Sequence, residues 1–274
     1  MSRFKILFPL LAMFLLGCTT LPGTVTQTSG GRQVEYIMGG HGMPVVVFEN
    51  GLGGTLDWWV KVWPEAVQTT TSLAYNRAGY GKSDAVNTPS NGTHAVNELR
   101  ALLAARQLPP PYVLVGHSLG GLYMQLFARK YPHEVAALVL VDSTHPEQLR
   151  GAGDQKYWPT WLKLGFGMLS SEAAKQELAT LDATGQTVLN LPVDPAIPVW
   201  VLSALGPMSI SSAIADDANR KRAELHMLYP GAQQIWVDSG HAIPLEKPET
   251  VAQSIREAVQ WVREHPKSKL QQRP

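Results

Sequence analysis

The sequence holds a single cysteine, Cys18, so no internal disulfide can brace the fold. It has no excess of either charge: 23 Lys and Arg stand against 22 Asp and Glu, a formal net charge of +1. No block of Lys and Arg breaks that balance, so a nucleic-acid partner finds no electrostatic footprint here. His-Glu-x-x-His, paired cysteines and a phosphate loop are all missing, and the sequence calls for no metal and no organic cofactor. Nor does it hold an apolar run of the ~20 residues that a membrane-crossing helix requires. What is present is a chain of 274 residues, 45% of them hydrophobic, enough for one domain with a sizeable core.

The N-terminus is a separate matter. Arg3 and Lys5 precede an apolar run over residues 6–16, and Gly17-Cys18 follows. A basic start, a short apolar stretch and a small residue before the cut describe a secretory signal. The stretch Leu15-Leu16-Gly17-Cys18 resembles the lipobox of bacterial lipoproteins. That resemblance implies cleavage before Cys18 and lipid on its sulfur and new amino group. The protein would then be anchored in the bacterial cell envelope, facing the periplasm or the exterior. Residues 1–17 are thus expected to be a signal peptide. Residues 18–31, with their many Thr, Gly and Ser, are expected to form a flexible tether. A plain signal peptide with an incidental cysteine is the alternative.

From about Arg32, short apolar runs alternate with amphipathic stretches. Residues 33–38 alternate and suit an antiparallel edge strand. Val45–Glu49 (VVVFE) is a continuous β-branched run, as in a strand buried on both faces, and Val135–Val141 (VAALVLV) reads as another buried strand. Residues 72–76, 112–115, 198–203 and 234–237 supply further strands. Helical spacing falls at 56–68, 93–107, 119–131, around 216–228, and at 250–263. The alternation predicts an α/β fold, a mostly parallel sheet covered by helices on both faces, over residues 32–274. Residues 143–196 interrupt it with Trp158, Trp161, Phe166 and no strand signal. So long a structureless loop is uncommon in a compact domain, and a small helical cap is expected there.

Gly116-His117-Ser118-Leu119-Gly120 matches G-x-S-x-G. It stands where a buried strand ends and an apolar-periodic helix begins, and the glycines clear side chains from a tight turn. Such a turn raises the Ser118 hydroxyl over the helix N-terminus. A serine hydroxyl needs a base within hydrogen-bond reach. Among eight histidines, His241 lies late in the chain, in a Gly-flanked loop between a strand and the last helix. His117, beside Ser118, is expected to be structural.

Together with Gly116–Gly121, the segments Tyr75-Asn76-Arg77-Ala78-Gly79-Tyr80-Gly81-Lys82-Ser83, LVLVDSTHPEQ (residues 138–148) and Ser239-Gly240-His241 resemble the α/β-hydrolase superfamily. The resemblance covers nearly all of the chain after the tether. It implies an eight-stranded, mostly parallel sheet and a site at the carboxyl ends of its strands. It also implies a Ser–acid–His order, with Ser118 as nucleophile and His241 as base. Relatives place the acid after the strand that follows the cap, yet residues 201–209 hold no carboxylate. Asp142, ending the strand before the cap, is the first candidate; Asp216 or Asp217, at a helix start, is the second. For the oxyanion hole, the N–H groups of Leu119 and Leu52 are expected. Leu52 lies in Asn50-Gly51-Leu52-Gly53-Gly54, where relatives carry His-Gly.

These residues predict a serine hydrolase that cleaves carboxylic esters through an acyl-enzyme. The small-molecule substrate is expected to have an apolar part set against the cap aromatics. Trp58, Trp59 and Trp63 are expected to pack a helix, with Trp58 the one able to face the acyl site. Carbon–carbon bond hydrolysis, lactone opening and perhydrolysis use the same residue types. A non-catalytic binding lipoprotein on the same scaffold is the rival from another class.

Overall fold

The computed structural model describes residues 20–86, 91–206 and 212–265. The signal stretch and Cys18 therefore lie outside the described residues. Eight strands form one sheet: β1 (Val25–Ser29), β2 (Arg32–Gly39), β3 (Val45–Glu49), β4 (Ser72–Tyr75), β5 (Tyr112–His117), β6 (Val135–Val141), β7 (Val199–Ala204) and β8 (Gln233–Val237). Their spatial order is β1-β2-β4-β3-β5-β6-β7-β8. β1 and β2 are antiparallel to their neighbours; β4 through β8 pair in parallel. The helices are α1 (Trp63–Thr69), α2 (Gly92–Ala105), α3 (Leu119–Lys130), α4 (Thr160–Leu169), α5 (Glu172–Asn190), α6 (Ala213–Glu224), α7 (Ile243–Glu246) and α8 (Pro248–Glu264).

The continuous apolar runs form the central strands because parallel strands are covered on both faces. Alternation still operates within them. Val45 and Val47 join a core with Leu99 of α2, Leu122 and Phe127 of α3, and Leu178 of α5. Val46 and Phe48 face the opposite core, with Trp59, Trp63, and Val251 and Ile255 of α8. Phe48 is fully buried between Trp59 and Trp63, with ring centroids 4.9 and 6.1 Å away. Burial of such a side chain contributes roughly 1.5–3 kcal/mol. The interrupting segment is helical, as expected, and its α5 packs on α2 and α3.

Two elements differ from expectation. The stretch read as a tether contains β1, which pairs with β2 over all five of its residues, so β2 is not an edge strand. Val25-Thr26-Gln27-Thr28-Ser29 leaves its side chains largely exposed and is held by backbone pairing, so hydrophobic patterning does not betray it. The helix expected over residues 56–68 is two pieces, a 3₁₀ turn at Leu56–Trp59 and then α1. Pro64, which has no N–H to donate, fits the first turn of α1 and not the middle of a longer helix. Among the described residues, no helix is long and apolar enough to cross a membrane.

Candidate active site

Ser118 occupies the bend between β5 and α3 at φ 53° and ψ −122°, a conformation costing a side-chain-bearing residue about 1–3 kcal/mol. The surrounding chain enforces it. The Ser118 N–H donates to Val141 O at 3.1 Å, and its carbonyl accepts the Thr144 N–H at 2.9 Å. The glycines are there for space. A Cβ on Gly116 would stand 2.6 Å from Gly120 O, one on Gly120 2.4 Å from Glu49 O, and one on Gly121 2.1 Å from Ser143 Oγ. None of these approaches leaves room for a methyl group.

Three elements converge on the hydroxyl. His241, between β8 and α7, brings Nε2 to 3.0 Å from Ser118 Oγ. Its Nδ1 meets Asp142 Oδ2 in a short contact. Because a carboxylate only accepts, Nδ1 carries the proton and Nε2 offers its lone pair to the hydroxyl. Asp142 directly follows β6 at φ 39°, with its side chain fully buried. Its Oδ1 accepts the Ala204 N–H at 3.1 Å, and Arg222 Nε lies 3.5 Å from Oδ2. Burial opposes the charge on Asp142, but the hydrogen bond from His241, the nearby positive charges and the Ala204 N–H outweigh it. The carboxyl therefore titrates below its ordinary value.

The other candidate acids lie elsewhere. Asp217 gives its oxygens to Arg220 Nη2 at 2.8 Å and Lys221 Nζ at 2.6 Å. Asp216 stands in the first turn of α6, whose N-cap is Ser212. Both belong to a helix that braces the site rather than to the site itself.

Beside Ser118 runs the loop after β3. A Cβ on Gly51 would lie 3.1 Å from Ser118 Cβ, so this loop's backbone presses directly against the turn at Ser118. Asn50, which replaces the expected His, is buried and structural. Its Nδ2 donates to Tyr75 O at 2.8 Å and its Oδ1 accepts from Trp59 Nε1 at 2.7 Å. Leu52 follows Gly51. Leu119 is the first residue of α3, where backbone N–H groups have no partner within the helix. Asn76 is likewise structural, bonding Leu56 N and Glu35 Oε2.

His117 has a job that its sequence position did not disclose. It stacks on Trp58 at 5.0 Å between centroids, and its Nε2–H donates to the backbone carbonyl of His241 at 2.9 Å. Burial, and then the neighbouring His241, push its pKa down to about 3 from an ordinary 6.5. The folded state thus refuses a proton that the unfolded chain accepts. Stability is fully present above about pH 6.5 and is lost progressively as pH falls toward 3. At pH 4 this one imidazole costs on the order of 3 kcal/mol. Urea midpoints should therefore fall between pH 6.5 and 4, and His117→Gln should flatten that slope. An unchanged slope in the variant would show that His117 is not responsible.

With this geometry in place, the chain can be set beside known proteins. The family model for the alpha/beta hydrolase fold matches residues 44–191. The chain belongs to that family. A curated relative, the uncharacterized protein YqjL of Bacillus subtilis, is 34% identical over 97 residues, which span 35% of this chain and 38% of that one. Among solved structures, an enol-lactonase from Burkholderia xenovorans has a TM-score of 0.60 at 16% identity, covering 86% of this chain and all of that one. A putative lipase from Acinetobacter baumannii has a TM-score of 0.60 at 22% identity, covering 91% and 92%. At these identities the α/β-hydrolase structures attest the shared fold.

The cap aromatics divide. Trp158 and Phe166 pack partly buried against the core on the α2–α3 side of the sheet. Trp161 does not line an interior wall: it is 64% exposed, on a face of α4 that also turns Leu164 and Met168 outward. Trp59 and Trp63 are core, as expected for a packing role.

Proposed function

We propose that this α/β hydrolase cleaves carboxylic esters through an acyl-enzyme on Ser118. The observation that carries the reading is the unbroken relay Ser118 Oγ, His241 Nε2, His241 Nδ1, Asp142 Oδ2. In this mechanism Ser118 attacks the ester carbonyl carbon while its proton passes to Nε2. The tetrahedral oxyanion accepts the N–H groups of Leu52 and Leu119, each such donor being worth about 3–4 kcal/mol. Asp142 keeps the proton on Nδ1 and stabilises the imidazolium. His241 then protonates the leaving alkoxide, the acyl-enzyme forms, and water attacks it with the same base assisting.

The acyl part is proposed to be apolar, from Trp158 and Phe166 beside the core. A series of acyl esters of graded chain length, followed by lactones, tests the proposal. Turnover of at least one series by purified protein is expected. A folded protein that hydrolyses neither contradicts it.

Attachment to an envelope membrane through lipid on Cys18 belongs to the same proposal. The Leu21 N–H bonds Asp57 Oδ1 at 2.7 Å, in the loop after β3 at the carboxyl edge of the sheet. Three residues reach at most about 10 Å, so the anchor would hold this edge close to the bilayer. The cap, whose α4 turns Trp161, Leu164 and Met168 outward, follows the carboxyl end of β6 in the same sheet. Cys18→Ser is expected to move the protein out of the membrane fraction and leave turnover of a water-soluble ester unchanged. Retention in that fraction would reject the lipid anchor.

A further inference from the structure

Under the loop that presses on Ser118 lies a buried ionic cluster that the proposed mechanism does not use. Arg77, between β4 and α2, has a side chain only 3% exposed. Its Nη1 bonds Glu49 Oε1 and the Asn50 carbonyl, each at 2.6 Å. Its Nη2 bonds the Gly51 carbonyl at 2.9 Å. From the cap, Glu177 of α5 takes Nε at 2.6 Å and Nη2 at 3.1 Å, a two-point grip on the guanidinium. Tyr80 donates its hydroxyl to Glu177 Oε2 at 2.6 Å and accepts the Gly53 N–H at 3.3 Å. Three members of the loop after β3 that flank Leu52 (Asn50 and Gly51 before it, Gly53 after it) are thus tied to one charged cluster.

Stability alone does not account for such a cluster, since a buried ion pair seldom outperforms well-packed apolar side chains of the same volume. Its targets are more informative. A trans peptide is planar and points its C=O and the following N–H in opposite directions. Fixing the Gly51 carbonyl on Arg77 therefore fixes the Leu52 N–H pointing away from Arg77. Gly51 itself packs against Ser118, so the orientation of that one peptide plane decides whether the N–H can reach an oxyanion formed there.

We propose that Glu177 and Arg77 couple the cap to the oxyanion hole: with α5 seated, Glu177 holds Arg77, Arg77 holds the Gly51 carbonyl, and the Leu52 N–H is aimed at the reacting carbonyl oxygen. Arg77 and Glu177 are positioning residues and touch no substrate. The proposal rests on the acyl-enzyme reading above. It adds that seating of the cap controls the chemical step.

The test is Glu177→Gln, which keeps shape and loosens the grip while leaving Arg77 paired with Glu49. Replacing Arg77 would strand two buried carboxylates and endanger folding. Expected for the Glu177→Gln enzyme is a fall in kcat of about 10- to 100-fold, short of the loss caused by deleting a donor, with KM changed less than about threefold. The decisive readout compares an oxo-ester with its thiono analogue, whose C=S sulfur is a poor hydrogen-bond acceptor. The wild-type preference for the oxo-ester should shrink in the variant by about the same factor as kcat. Tyr80→Phe, which removes one hydrogen bond to Glu177, should show the same pattern more weakly and serves if Glu177→Gln does not fold. Wild-type kcat in both variants, or equal losses on the two substrates, would overturn the coupling. Failure of the wild-type enzyme to turn over any oxo-ester would instead condemn the acyl-enzyme reading itself.

Discussion

Ser118→Ala is expected to lower kcat on the best acyl ester by about 10⁵-fold or more, with the fold intact. The alanine loses only Oγ, and the bend that holds it is fixed by backbone bonds to Val141 and Thr144 that do not involve the side chain. Among the described residues, the hydroxyl that stands against Nε2 of His241 is that of Ser118. Any residual turnover would come from the oxyanion donors and substrate positioning alone. His241→Ala should cost about as much, and the double variant hardly more than either, because the pair acts as one unit. Independent, multiplying losses would mean that the two residues serve different steps. The comparison needs only initial rates of the three variants on one ester.

Asp142→Asn is expected to reduce kcat by about 10⁴-fold, for a reason visible in its two oxygens. Oδ2 faces His241 Nδ1 and Oδ1 accepts the Ala204 N–H. An amide has one oxygen. If that oxygen faces His241, the NH₂ is driven against the Ala204 N–H, and two donors are buried face to face. If the amide flips, its NH₂ donates to Nδ1, the imidazole must carry its proton on Nε2, and the lone pair that should receive the Ser118 proton is gone. Either arrangement damages catalysis, and the second abolishes the base. Asp216→Asn and Asp217→Asn should stay within about twofold of wild type. The bonds of Asp217 are to Arg220 and Lys221 on its own helix, and neither oxygen is bonded to His241. Equal, mild losses in all three variants would remove Asp142 from the mechanism.

The difference in difficulty between Ser118 and Asp142 shows what sequence can carry. The bend at Ser118 is a local event: strand, glycine, serine, glycine and helix all lie within a few residues, and the steric demand for Gly116 and Gly120 is written beside the serine. The buried strands β3 and β6 are legible for the same reason, as short Val-rich apolar runs. His241 is legible from its loop and from the Ser–acid–His order that the family resemblance implies. Asp142 is not local. It meets His241 because β6 lies beside β7 in a register that sets the end of β6 against Leu202 and Ala204. The sequence alone therefore left Asp216 and Asp217 open as alternatives.

Arg222 and Glu177 reach the site from α6 and the cap, 80 and 35 positions along the chain from Asp142 (222 − 142 and 177 − 142), and no spacing rule announces them. Glu49 left a faint signal, a carboxylate closing a strand otherwise made of Val and Phe. Arg77 left another, a charged side chain inside a glycine-rich loop motif. β1 left none, since a strand held by backbone bonds with solvent on its side chains looks like any polar segment.

The most direct test of the central claim, that Ser118 is the activated nucleophile, is to treat the purified protein with a fluorophosphonate and locate the adduct by peptide mass spectrometry. The account predicts one stoichiometric adduct on Ser118, absent from Ser118→Ala and formed far more slowly in His241→Ala. Folded wild-type protein that takes up no label, or an adduct on another serine that persists in Ser118→Ala, would contradict it.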